Sequence, residues 1–103
     1  MTRTRNKLTR PKYAVLMDVD GTETEHIVAV THGDQIRGEA TARTRRLPSL
    51  NDAPYEHASI WVWHAMTRQG LTDLRYPEWT DAVLDVERLN DEQPVDPTEA
   101  STD

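Results

Sequence analysis

One stretch narrows the choices most: Asn51 to Gly70, NDAPYEHASIWVWHAMTRQG, the densest apolar and aromatic part of the chain, with two of its three tryptophans. Length selects a helix over a strand. The run Ile60 to Trp63 suits a strand by propensity, yet about 16 uninterrupted residues that include Ala58, Ala65 and Met66 exceed an ordinary strand. Asp52 with Pro54 just inside marks a start and Gly70 a stop, so a helix is predicted over about 54–69. At about 100° per residue, Tyr55, Ala58, Trp61, Val62, Ala65 and Met66 fall on one apolar arc, while Ile60 and Trp63 point well away from it. Two indoles two residues apart cannot face the same core. One of them is expected to meet a second surface, in this chain or in another molecule.

The chain has 103 residues, enough for one small domain of roughly 80 residues with polar ends. There is no cysteine, which excludes a disulfide framework, a thiol nucleophile and a thiolate metal site and fits a reducing compartment. The net charge of −6 hides a gradient. Residues 1–12 carry Arg3, Arg5, Lys7, Arg10 and Lys12 with no acid, whereas residues 76–103 carry nine acids against Arg88 alone. A chain polarised in this way can associate head to tail or dock charged partners, and the plain alternative is a pair of solvated tails. No apolar run approaches a membrane span, and the basic start leads into TRPKYAV without the apolar region of a cleavable signal. The expectation is a soluble, intracellular protein with no membrane partner.

In chain order, residues 1–11 read as a basic, Thr-rich flexible arm ending at Pro11. Arg3, Arg5, Lys7 and Arg10 are its candidate phosphate contacts, although the acidic balance of the remainder argues against a dedicated nucleic-acid domain. Tyr13 to Asp18 and His26 to Thr31 are two runs rich in Val, Ile and Tyr on either side of Asp20-Gly21. Aspartate-glycine between such runs predicts an antiparallel hairpin over 13–31, because glycine accepts the positive φ of a tight turn. Two strands are marginal alone, so one face must lie on helices. Residues 34–46 read as a weaker helix with Asp34 as N-cap, Ile36, Ala40 and Leu47 as its apolar contacts, Gly38 as a weak point, and Arg43, Arg45 and Arg46 near its end, where positive charge suits the helix dipole. After the central helix, Pro77 opens a third helix predicted over 77–90, in which Trp79, Ala82, Val83, Val86 and Leu89 follow the spacing of one buried stripe. Residues 91–103 are acidic, hold two prolines and read as a flexible tail. The fold class is therefore α+β: an N-terminal antiparallel β-hairpin followed by about three α-helices, one domain over 12–90.

Several motifs invite a chemical reading. VLMDVDGT resembles the first motif of haloacid dehalogenase-like phosphatases, whose first aspartate accepts the phosphoryl group. That resemblance implies a parallel sheet and a downstream lysine, but no lysine follows Lys12 and the next residues read as a second strand. Asp20-Gly21 is taken as turn chemistry. His57 and His64 are separated by about 10 Å of helical rise and cannot chelate one ion without a partner between them. His26 and His32 lie at the strand margins, and Ser59, His64 and an acid form no triad that spacing selects. No catalytic residues, metal site or cofactor are assigned. Three tryptophans on two helices offer more aromatic surface than so small a core can hide, which points to a partner groove.

The layout also resembles a known family. The Asp20-Gly21-Thr22 hairpin, Asp34 to Glu39 opening the first helix, Asp52-Ala53-Pro54 ahead of Trp61, Trp63-His64-Ala65 and Thr67-Arg68-Gln69-Gly70, and the closing Val95-Asp96-Pro97-Thr98 together resemble the small tail assembly chaperones of long-tailed bacteriophages that infect actinobacteria. The resemblance implies a non-enzymatic protein in the host cytoplasm that binds the tape measure protein, and with it the major tail protein, and promotes assembly of the tail tube. It also implies that a longer form is often made by ribosomal frameshifting near the end of the reading frame. The basic arm is more charged than that family leads one to expect. Ile60, Trp61, Trp63 and Thr67 are the candidate partner-binding residues, with a homo-oligomer as the alternative use of the same face. The competing reading is a small phage structural or nucleic-acid-associated protein that works through the arm.

Overall fold

The hairpin turn sets the architecture. In the computed structural model, which describes residues 11–89, β1 (Lys12–Val19) and β2 (Thr22–Ala29) pair antiparallel from Lys12↔Ala29 to Val19↔Thr22. Asp20 and Gly21 between them both have positive φ, 54° and 82°. That is the twist a two-residue hairpin loop requires, and glycine meets it without strain. Asp18 accepts the Gly21 N–H at 2.9 Å, so the aspartate of the phosphatase-like motif is spent on the turn and is followed by an antiparallel strand.

The helices follow as α1 (His32–Thr44), α2 (Pro54–Arg68) and α3 (Tyr76–Ala82). The class is α+β, with the hairpin first and three helices after it. The third helix is shorter than the sequence implies. It stops at Ala82, and Val83–Leu89 form β3, antiparallel to the other side of β1, giving the strand order β2-β1-β3. The misreading has a physical cause. The register shifts between Leu16 and Met17, so that Met17 faces Val83 and Leu16 faces Asp85. Leu84 is the extra residue of this bulge. Inward positions at Val83 and Val86 thus come three apart, which imitates a helical stripe although the segment is extended. The basic arm expected over 1–11 lies outside the described residues except at Pro11, whose carbonyl accepts Val30 N–H at 2.9 Å; the acidic tail expected over 91–103 lies wholly outside them.

Tyr13, Val15, Met17, Val28, Val30 and Val86 face the helices and are buried. α2 packs on β2, α3 on β1 and β3, and α1 on α2. Being covered on two sides, α2 buries more than the single arc read from its sequence: Ser59, Ile60, Val62, Ala65 and Met66 are buried, while Tyr55 is 60 % exposed. The inner side of α1 is not Ile36 or Ala40, which are exposed, but Gly38 and Ala42. A Cβ on Gly38 would lie 2.6 Å from Trp61 Cδ1 and 3.3 Å from Ile60 Cγ2. The apparent weak point of α1 is the place where α2 comes closest.

Both long helices end in the same way. Leu71 N–H reaches Met66 O and Gly70 N–H reaches Thr67 O at the end of α2, and Leu47 N–H reaches Ala42 O and Arg46 N–H reaches Arg43 O at the end of α1. This double bond pattern needs a left-handed residue. Gly70 supplies it at φ 75°, but in α1 the position falls to Arg46 at φ 60°.

Two outcomes follow for thermal or denaturant unfolding. Gly38→Ala is expected to destabilise by about 1–2 kcal/mol, because overpacking against Trp61 outweighs the helix propensity gained. Arg46→Gly is expected to stabilise by up to about 1 kcal/mol, by relieving the left-handed strain.

Candidate partner-binding site

The α2 tryptophans are both partly buried, each against a different neighbour. Trp61 lies over Gly38 of α1. Trp63 donates its indole N–H to Leu74 O at 2.9 Å and meets the Tyr76 ring edge-on at 5.5 Å. Tyr76 in turn stacks on Trp79 at 5.9 Å and carries the Arg45 guanidinium 4.9 Å from its ring centre. Burial, with Glu56 nearby, raises the Tyr76 hydroxyl pKa against the opposing pull of Arg45. The expected second surface for the indoles is thus largely supplied by α1 and by the segment from Leu74 to Trp79.

The four candidate residues do not form one exposed patch. Ile60 has 0 % exposure and is withdrawn as a contact residue: its Cγ2 sits beside Gly38, under α1. Trp61 and Trp63 keep only part of their surface, and Thr67 is exposed near the end of α2. Arg3, Arg5, Lys7 and Arg10 lie outside the described residues.

Apolar surface is instead open elsewhere. α2 leans on β2 and α3 is only seven residues long, so the helix layer leaves a gap above β3. A cleft of about 660 Å³ opens there between the start of α2, α3 and β3, lined by Tyr55, Ser59, Trp79, Val83, Leu84 and Val86. Trp79 is 1 % exposed, and its indole N–H has no acceptor, so packing alone holds the ring. At the lips, Tyr55 is 60 % and Leu84 51 % exposed. Leu84 is there because of the bulge, which turns its side chain out of the ladder. Sequence reasoning missed it, because a bulge leaves no residue signature of its own in VLDVERL. A second cleft of about 460 Å³, between α1, the following loop and α2, is lined in part by Ile36, Leu50, His57 and Trp61.

Polar groups fix the frame around these clefts. Thr31, not Asp34, is the N-cap of α1, and Asp34 completes a capping box by accepting Thr31 N–H at 2.9 Å. The buried Asp34 carboxylate also pairs with Arg37 at 2.9 Å and with Arg68 of α2 at 2.9 Å. Arg68 and Gln69 reach on to Ala29 O at the end of β2. Burial would raise the Asp34 pKa, but hydrogen bonds from Arg68, the Thr31 backbone, Arg37 and the Thr31 side chain outweigh it and hold the carboxyl well below its ordinary 3.8. The His64 ring lies 2.8 Å from the Thr41 hydroxyl. Burial first, then Arg37, lower its pKa from the ordinary 6.5, against a smaller opposing effect of Asp34. His57 donates to Pro48 O at 2.7 Å. Asp52, read as part of the helix start, does not cap α2: Ala53 holds that position without a side-chain bond, and Asp52 accepts from the Ser49 hydroxyl.

Among the described residues no group of three or more His, Asp or Glu side chains is placed to hold a metal ion, and no helix is long and apolar enough to cross a membrane. A scan against protein-family models gave no match, and neither did searches of curated proteins and of solved structures.

The polar frame makes a testable acid response. Asp34 and His64 both have folded pKa values below their unfolded ones, so each contributes stability above its unfolded value that is lost as pH falls. Denaturant titrations should show a plateau above about pH 7, a shallow decline beginning near the ordinary histidine value and a steeper one below about pH 4. His64→Gln should flatten the first decline and Asp34→Asn the second. Asp34→Ala should cost about 2–4 kcal/mol at neutral pH, through loss of the cap and of the bridge to Arg68.

Proposed function

We propose that this protein is a non-enzymatic tail assembly chaperone that binds the tape measure protein and promotes assembly of tail tube subunits around it. The observation that carries the reading is the cleft above β3. It is mostly apolar with Asp52 and Glu56 among its lining residues, large enough to seat the anchor residues of an amphipathic helix, and lipped by an exposed tyrosine and an exposed leucine. A soluble body that holds a long helical client needs such a surface: anchor side chains enter a groove while polar groups on the rim keep neighbouring copies apart. The family resemblance in the sequence supplies the client. The contact surface is moved from the Ile60 and Trp63 side of α2 to Tyr55, Leu84 and the cleft floor.

The test is co-elution and calorimetry of the full chain with soluble fragments of a tape measure protein. Tyr55→Ala with Leu84→Glu is expected to weaken binding by tenfold or more, about 1.4 kcal/mol at least, with the fold unchanged by circular dichroism. Ile36→Glu, at the other cleft, is expected to leave binding intact. Binding that ignores the first variant and is lost in the second moves the site; absence of any binding removes the proposal.

A further inference from the structure

The two outer edges of the sheet differ. On β2 the Ala29 carbonyl takes bonds from Arg68 and Gln69, and the side chains that share the helix face at its other end are polar, His26 opposite Val15 and Thr24 opposite Met17. On β3 the Val83 N–H bonds to Trp79 O at the end of α3. From Leu84 to Leu89, among the described residues, the backbone is bonded to β1 alone. The outward half of its N–H and C=O groups is a template for another strand, which proteins commonly guard with charge or a bulge.

β3 carries both devices, and the charges select what can pair with it. Asp85 and Glu87 lie on the face turned away from the helices, opposite Leu16 and Ala14. Both are exposed, and among the described residues neither is in an ion pair. The one cation of the strand, Arg88, is on the other face, 5.8 Å from the Tyr13 ring centre. A second copy that extends the sheet must pair β3 with β3 antiparallel and keep the two faces matched. Centring that pair on Val86 sets Asp85 against Glu87 twice, and centring it on Asp85 or Glu87 sets that carboxylate against its own copy. Like charges directly opposite destabilise paired strands.

A basic strand meets the opposite situation. Its cations stand beside Asp85 and Glu87, and its alternate side chains fall on the helix face next to Val83 and Val86, which line the cleft of about 660 Å³. A period of two in the incoming segment satisfies both rows at once, and the backbone bonds are independent of its sequence. We propose that the free edge of β3 receives an extended segment of another protein, paired along Leu84 to Leu89, with lysine or arginine on the side of Asp85 and Glu87 and apolar residues on the side of the cleft. The inference rests on the reading above only for its place: the cleft is common to both, and a helix seated against Val83 and Val86 competes with the added strand.

The probe is a synthetic peptide of alternating lysine and valine, capped at both ends and matched to the seven residues of β3. Added to the isotopically labelled full chain, it should shift the amide signals of Leu84 to Leu89 and slow their hydrogen exchange about tenfold or more, with β2 unchanged. The same peptide with glutamate for lysine should bind at least about tenfold more weakly. Asp85→Lys with Glu87→Lys, two exposed positions, should reverse that preference. Two further peptides carry N-methyl groups on every lysine or on every valine. Because alternate N–H groups of a strand point to opposite edges, one form should bind like the parent and the other about tenfold or more weakly. Equal behaviour of the two methylated forms overturns the inference, as does equal binding of the glutamate peptide. Signal changes confined to β2, to the α1 cleft or to residues 91–103 also overturn it. Protection of the β3 amides that rises with protein concentration in the absence of peptide assigns the edge to a second copy and has the same result. No tape measure fragment is used, so failure here leaves the chaperone reading standing, and failure of that reading leaves this one standing.

Discussion

The carboxylate of Asp34 joins three elements at one point. It caps the helix it belongs to through Thr31, fixes Arg37 one turn along, and receives Arg68 from the last turn of α2, which in turn reaches Ala29 at the end of β2. Removing one partner from a buried pair costs far more than making the pair gains, so this joint acts chiefly as a constraint on geometry. With the start of α1 and the end of α2 held together at Asp34, α2 must cross the sheet over β2. The clearance at Gly38 then lets α1 close over Ile60 and Trp61. The gap above β3 is the other side of the same arrangement, since a helix committed to β2 cannot also cover the opposite edge.

Much of this was legible in the residues. Asp20-Gly21 announced the hairpin because few sequences tolerate two successive positive φ values, and Pro54 and Gly70 bounded α2 because each fits its terminal position for a backbone reason. What the residues hid was set by tertiary context. Arg46 holds a left-handed position that nothing in ARTRRL marks, and it does so because the Leu47 N–H is pulled back to Ala42 O. The pairing of Asp34 with Arg68 spans 34 positions and has no local signature beyond the capping pattern Thr31 to Asp34. β3 was read as helix because one bulged residue converts a two-residue period into a spacing of three. Ile60 was read as a contact residue because a helical wheel supposes one buried side, and α2 has two.

The candidate sites were less legible than the fold, and for a related reason. Trp61 and Trp63 looked like surplus aromatic surface when counted along one helix, yet the structure finds each a neighbour: Gly38 lets one indole in, and Leu74 O takes the N–H of the other. Exposed apolar surface moved to Tyr55 and Leu84. These stand at the first turn of a helix and at a bulge, where side chains escape the regular layers. The tail-chaperone reading therefore keeps its logic of an apolar groove on an acidic body while changing the residues that form the groove.

The order of the strands has a bearing on how the chain is made. Among the described strands, the central one is the first to be synthesised and one of its two neighbours is the last, so this sheet stays half built until Leu89 has left the ribosome. Until then the buried row Tyr13, Val15 and Met17 has a partner strand on one side only, and any product released before Val83 would emerge with that flank unpaired. Past Leu89 the situation reverses. Among the described residues the pairing of β1 with β3 is then complete, out to Lys12↔Leu89.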